Sequence, residues 1–313
     1  MLSVKKIYPA FVLRRGTRTK ALFALSLVCF FWGTTWIASK EGVKHMPALQ
    51  LAGIRQLAGG LLYAIYFMSK GRVLPKGKEW RPIIILAVLN FVLSNGLSTW
   101  GVKYISAGLA SIIGATYPLW VVVIAIFGSK TKLPLKSIVG FLLGFTGICI
   151  IFYEHLEDFL NKDFVFGIAI SFIATWSWAY GTLYTKEQAK TFNPYFSLGL
   201  QMIIAGSVLL VVTKSTNMWI PIATIPWQSW ASIGFLLVFS SIISFLAFLY
   251  ALQHLSAQQT AIYAYINPLV AILFGWLLLQ EKMNVHMIFG TLITLAGVYL
   301  VKREFKKQPI IEQ

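Results

Sequence analysis

Carboxylates are scarce in this chain. Asp and Glu number 10 against 27 Lys and Arg in 313 residues, and charged residues of both signs make up 12%, about half of the roughly 25% usual for a soluble domain. That excludes an ordinary water-facing shell. The two cysteines, Cys29 and Cys149, both lie in apolar runs, which excludes a loop disulfide framework and a thiolate metal site. His45, His155, His254 and His286 share no metal-ligand spacing, and no glycine-rich phosphate loop or nucleophile motif occurs. The chain therefore implies no enzyme, no cofactor and no metal. Its +17 charge does not imply a nucleic-acid face, because the basic residues avoid the apolar runs and collect in the joins between them.

What the sequence has in abundance is apolar length. Hydrophobic residues make up 58%, and a helix crosses the hydrocarbon layer in about 20 residues. Ten suitable runs lie near 21 to 39, 48 to 68, 82 to 102, 106 to 128, 137 to 153, 164 to 185, 194 to 213, 228 to 250, 256 to 279 and 285 to 301. Backbone polar groups cannot be left bare in lipid, so each run is predicted helical, and the short joins force neighbours to run antiparallel. The expected fold class is an all-α integral membrane protein. Between the early basic residues, Ile7 to Leu13 is too short for a signal-peptide core, so residues 1–20 read as a retained basic tail.

Alternate joins differ in charge. One side collects 20 of the Lys and Arg, the other 6, and Arg55 alone sits inside a run. The positive-inside rule then places both termini in the cytoplasm. The acidic join with Glu154, Glu157, Asp158 and Asp163 falls outside.

The chain also resembles itself. Trp32, Lys40, Arg55 and Gly60 shift by 146 onto Trp178, Lys186, Gln201 and Gly206. A second block shifts by 150, carrying Ser106-Ala107 onto Ser256-Ala257, Pro118-Leu119 onto Pro268-Leu269, Gly140 onto Gly290 and Gly147 onto Gly297. Five runs per repeat is an odd number, so the second repeat enters the membrane from the opposite side. The expected organisation is ten transmembrane helices as two inverted five-helix repeats: 21–153 and 164–301, flanked by basic cytoplasmic tails at 1–20 and 302–313. Such symmetry gives the halves two equivalent packings, one open to each face, which is the basis of alternating access.

Trp32-Gly33-Thr34 with Lys40 closing the first run, Arg55 in the second, Pro118 and Pro268 in the fourth and ninth, and Leu279-Gln280-Glu281-Lys282 after the ninth form a pattern. It resembles the EamA-like family of the drug/metabolite transporter superfamily over roughly 21 to 301. The resemblance implies a ten-helix carrier of amino acids, nucleosides, drugs or similar metabolites, usually in a bacterial inner membrane. The chain departs from the family at Thr131, which stands opposite Glu281 where an acidic residue is common.

A polar solute crossing such a protein needs hydrogen-bonding groups near the midplane. The first and sixth runs offer Trp32, Thr35, Trp36 and Ser39 against Trp176, Ser177, Trp178, Tyr180 and Thr182. These rings either sandwich a substrate or pack protein against protein. The third and eighth runs add Asn90, Ser94, Asn95, Ser98 and Thr99, with Ser240, Ser241 and Ser244; such hydroxyls commonly bond their own helix instead. The fourth and ninth supply Tyr117-Pro118, Tyr263, Tyr265 and Asn267-Pro268, where proline leaves a carbonyl unpaired and makes either a rocking element or a static bend. Arg55 reads as structural or gating. Glu281 reads as a proton acceptor or, more simply, a partner of Lys282.

Glycines at 140, 144, 147, 290 and 297, with Thr294, permit close helix contact between the repeats or between two subunits of a homodimer. The expectation is a secondary transporter, in the export direction, whose partners are a small-molecule substrate and the lipid bilayer. The competing readings are a non-transporting receptor or assembly subunit and a membrane-embedded lipid-handling enzyme.

Overall fold

A helix satisfies its backbone polar groups within one segment, and a chain this apolar uses little else. The computed structural model describes residues 15–117, 119–120, 123–124, 135–153, 155–188, 194–255 and 263–305, and among these no strand occurs. Pro118, Thr131, Glu154, Lys190, Ser256, Ala257 and most of the two basic tails lie outside the described residues.

In chain order the helices are α1 (Arg15–Gly42), α2 (Ala48–Ser69), α3 (Gly77–Gly101), α4 (Ala107–Ala115), α5 (Leu135–Tyr153), α6 (Lys162–Gln188) and α7 (Pro194–Ser215). They are followed by α8 (Trp227–Phe235, continuing through Leu236–Ser244 into Phe245–His254), α9 (Tyr263–Leu279) and α10 (Val285–Phe305). By length and composition α1, α2, α3, α6, α7 and α8 each suffice to cross a membrane, while α5, α9 and α10 carry shorter apolar stretches. Large side chains such as Ile65, Leu142, Phe145, Val211 and Leu278 are more than half exposed around the outside. Apolar surface of this extent is stable against lipid, and the chain is a multi-pass, all-helical membrane protein.

The runs that read as uniform helix conceal two departures. Ala87–Gly96 in α3 and Leu236–Ser244 in α8 are π-helical. A π turn bonds five residues apart, and side chains here repeat that spacing: Asn95 Nδ2 donates to Asn90 O at 2.9 Å, and Ser244 Oγ donates to Phe239 O at 2.6 Å. A shift of 149 carries one pair onto the other. Such widened turns are frequent at functional sites.

Helix contacts come in exchanged pairs. α1 packs on α8 as α6 packs on α3, and α1 on α9 as α6 on α4; α2 meets its own mate α7, and α5 meets α10. In both mate pairs the glycines set the approach. Gly60 stands against Gly199, and Gly53 against Gly206; Gly140 stands against Gly297, and Gly147 against Gly290. Low numbers meet high ones in each pair, so the mates run antiparallel. The glycine faces of α5 and α10 thus meet within one chain.

Candidate substrate cavity

Between the paired helices lies a cavity of about 170 Å³. Its wall takes Trp32, Thr35, Trp36 and Ser39 from α1, Ser94, Asn95, Ser98 and Thr99 from α3, and Ser111, Gly114, Ala115 and the nearby Tyr117 from the α4 region. The second half supplies Ala174, Thr175 and Trp178 from α6, Ser240 and Phe245 from α8, and Tyr263, Ala264, Asn267 and Pro268 from α9. Arg55 from α2 completes it. α5, α7 and α10 contribute none of these residues.

Trp32 is the hub of the aromatic part. Its ring meets Trp178 edge-on at 6.5 Å, Phe245 at 5.2 Å, Phe248 at 5.0 Å and Tyr263 at 5.1 Å between centroids. Tyr117 stacks on Tyr263 with ring planes 10° apart. Edge-to-face packing of this kind holds the rings rigid. Asn267 secures the α1–α9 contact: its amide nitrogen lies 3.0 Å from both Tyr263 O and Cys29 O and donates to each. One residue on, Pro268 has no N–H to give the Ala264 carbonyl, and both line the cavity.

Most wall hydroxyls are committed to their own helices. Thr35 donates to Trp32 O, Ser98 and Thr99 to Asn95 O, Ser111 to Gly108 O, and Thr175 to Ser171 O. The hydroxyls of Ser39, Ser94 and Ser240 make no hydrogen bond among the described residues.

Of the residues singled out from sequence, Asn90, Trp176, Ser177, Tyr180, Thr182, Ser241, Ser244 and Tyr265 are not brought to the cavity. Trp176 and Tyr180 are 41% and 43% exposed and stack on each other at 5.9 Å. They lie four apart on one helix face, and Trp176 is rotated about 200° from Trp178. Ser244 is fully buried, with its hydroxyl spent on Phe239 O. Sequence reasoning missed Thr175 and Phe245; placing Trp178 inward on a helix of 3.6 residues per turn would have drawn Ala174 and Thr175 inward with it.

One charged residue differs from expectation. Glu281 does not pair with Lys282. The non-glycine residue Gln280 takes φ 54°, and Glu281 N donates to Gly275 O at 3.1 Å, a left-handed helix end. That reversal brings the carboxylate under the start of α4, where Ala107 N and Gly108 N donate to it at 2.6 and 3.1 Å. Carboxylates are stabilising at a helix N-terminus. Lys40 reaches away from its own helix to donate to Ile105 O at 2.8 Å and Lys103 O at 3.3 Å. α1 and α9 are thereby tied to the α3–α4 junction at one end of the bundle. Arg55, 3% exposed, donates from Nη2 to Asn95 Oδ1 at 2.8 Å. Pro268 lies in α9 and lines the cavity, while Pro118 falls outside the described residues.

The model of the EamA-like transporter family matches residues 19–153 and again 165–303. Among curated proteins, the uncharacterized transporter YvbV of Bacillus subtilis is 28% identical over 93% of this chain and 94% of its own length. Another from that organism, the uncharacterized transporter YoaV, is 24% identical over 93% and 99%. The uncharacterized inner membrane transporter YedA of Escherichia coli is 27% identical over 93% and 95%. A solved crystal structure superposes with a TM-score of 0.65 over 93% of this chain and 99% of that one, at 13% identity, which speaks to the fold alone.

Proposed function

Because the chain belongs to the EamA-like transporter family, and is therefore a membrane transporter and not an enzyme, we propose that it is a secondary carrier of a small polar metabolite, working by alternating access with export as its direction. Its ten helices span the bacterial inner membrane as two inverted repeats, with both termini cytoplasmic. The observation that carries this reading is the cavity itself, whose wall helices exchange in pairs between the two halves. A solute held there touches both repeats, so rocking one against the other exposes it to alternate faces. The antiparallel mates and the doubled family match support the inverted repeat. Among the described residues no wall residue is a carboxylate, which favours drive by the solute gradient over proton exchange at the cavity.

The cavity is smaller than the roughly 300–1,000 Å³ of drug-sized ligand sites, which favours amino-acid-sized solutes over nucleosides and larger drugs. The test is uptake and efflux of labelled amino acids, organic acids, nucleosides and aromatic amines in proteoliposomes. The unaltered protein is compared with Trp178→Ala and Asn95→Ala. Saturable flux lost in folded variants is expected. Absence of flux for every compound would shift the assignment to a receptor or assembly subunit.

A further inference from the structure

We propose that Arg55 is the seat of an anion, and that the cavity takes small monocarboxylates with an apolar or aromatic body in preference to zwitterionic amino acids or amines. This deepens the transport reading and rests on it for carriage, while the binding step stands on the geometry below.

A guanidinium carries five N–H donors. Among the described residues one hydrogen bond is made, from Nη2 to Asn95 Oδ1 at 2.8 Å, and the buried Nε has no partner. Asn95 is itself held, since its Nδ2 donates to Asn90 O across the π turn at 2.9 Å. Its oxygen is thereby presented to Arg55, but a neutral amide does not cancel a charge. The ion pairs among the described residues use Glu41 and Asp158, neither of them in the cavity wall. At 3% exposure Arg55 does not snorkel to water.

A cation left without a counter-charge inside a membrane helix is costly. The planar fork of arginine matches a carboxylate through two parallel hydrogen bonds. A carboxylate entering the cavity supplies the missing charge, and an apolar body then meets Trp32, Trp178 and Tyr263. Among the described residues an ammonium group finds no opposing carboxylate in the wall, and it is repelled by Arg55 where the dielectric is low. Among the described residues the second half adds no charge to the wall. Gln201 takes the symmetric position and spends its amide on Ser197 Oγ at 2.8 Å. The site therefore accepts one anionic group.

Three compounds with a common phenyl-alkyl body and different charge test this: 3-phenylpropionate, phenylalanine and phenethylamine. Binding to the purified protein in nanodiscs is read by calorimetry and by tryptophan fluorescence. The expected order is phenylpropionate, then phenylalanine, then phenethylamine, with at least tenfold between first and last. Arg55→Gln places in the first half the residue the second half uses. It is expected to weaken phenylpropionate at least tenfold and leave phenethylamine unchanged or tighter, whereas Arg55→Lys, which keeps the charge, loses less.

Equal affinity of Arg55→Gln and the unaltered protein for phenylpropionate, at equal melting temperature, overturns the proposal. So does a preference of the unaltered protein for phenylalanine or phenethylamine, or failure to bind phenylpropionate. Proteoliposome flux separates the two readings. Flux of other solutes without carboxylate preference leaves the transporter standing and removes the anion site. Arg55-dependent binding without flux does the reverse.

Discussion

Gly147 of α5 and Gly290 of α10 face each other so closely that a Cβ built on either would lie 2.6 Å from the other's carbonyl oxygen. The 150-residue shift turns this contact into its partner, Gly297 against Gly140, where a Cβ on Gly297 would again lie 2.6 Å from the facing oxygen. In lipid, where apolar side chains gain nothing by leaving solvent, such backbone approach is what binds two helices.

Gly147→Ala and Gly290→Ala are therefore each expected to destabilise the folded protein by about 1–3 kcal/mol, the usual cost of overpacking a tight interface. Gly234→Ala is the control, because a Cβ there meets nothing within 4 Å, and alanine is the better helix former. Thermal unfolding in detergent decides it. Equal melting temperatures for all three would mean the α5–α10 contact is looser than described.

Glu281→Ala removes the acceptor for two backbone N–H groups at the start of α4 and is expected to cost about 1 kcal/mol, as loss of a helix cap does. Glu281→Gln keeps one acceptor oxygen and loses less. A Cβ on Gly275 would lie 2.6 Å from Glu281 Oε2, so Gly275→Ala dislodges the same carboxylate. The double variant Gly275→Ala/Glu281→Ala is then expected to be less destabilised than the sum of the singles. Strict additivity would show that Gly275→Ala leaves the cap in place.

Trp176 and Trp178 provide a paired test on one helix. Trp178→Ala is expected to reduce transport at least tenfold, while Trp176→Ala, whose ring lies on the outer surface, retains it. Initial rates in proteoliposomes, normalised to folded protein, give the comparison. Similar losses in both would mean that the effect is structural.

Asn95→Asp sets a carboxylate in place of the Oδ1 that now accepts from Arg55. The expected outcome is a folded protein in which an internal ion pair competes with the solute, so phenylpropionate binding falls at least tenfold. Binding equal to that of the unaltered protein would place the solute elsewhere in the cavity.

The legibility of this molecule from sequence divides along a physical line. Run lengths, charge placement and the 146 and 150 shifts were readable because the bilayer imposes a length on every apolar helix and a sign on every join. The wall residues Trp32, Asn95, Tyr117, Trp178, Tyr263 and Asn267 were readable as polar or aromatic groups at depth, where burial needs a reason. Trp176 and Tyr180 share that composition and depth yet face outward, since depth does not specify rotation about the helix axis. The π turns escaped because their hydrogen-bond shift leaves no distinctive composition; Asn95 and Ser244, each bonding five residues back, mark them only in the folded chain.

The sequence by itself determined a membrane-embedded helical chain of duplicated order, because partition into lipid depends on composition summed along a segment. Tertiary structure alone decided that Arg55 and Asn95, 40 residues apart, share one hydrogen bond, that Glu281 serves a helix 173 and 174 residues away, and that the glycine faces of α5 and α10 meet each other. Each of these is a question of which partner fills a donor or a gap, and the competing partners, Lys282 for Glu281 or a second subunit for the glycines, are equal in sequence and separated by packing.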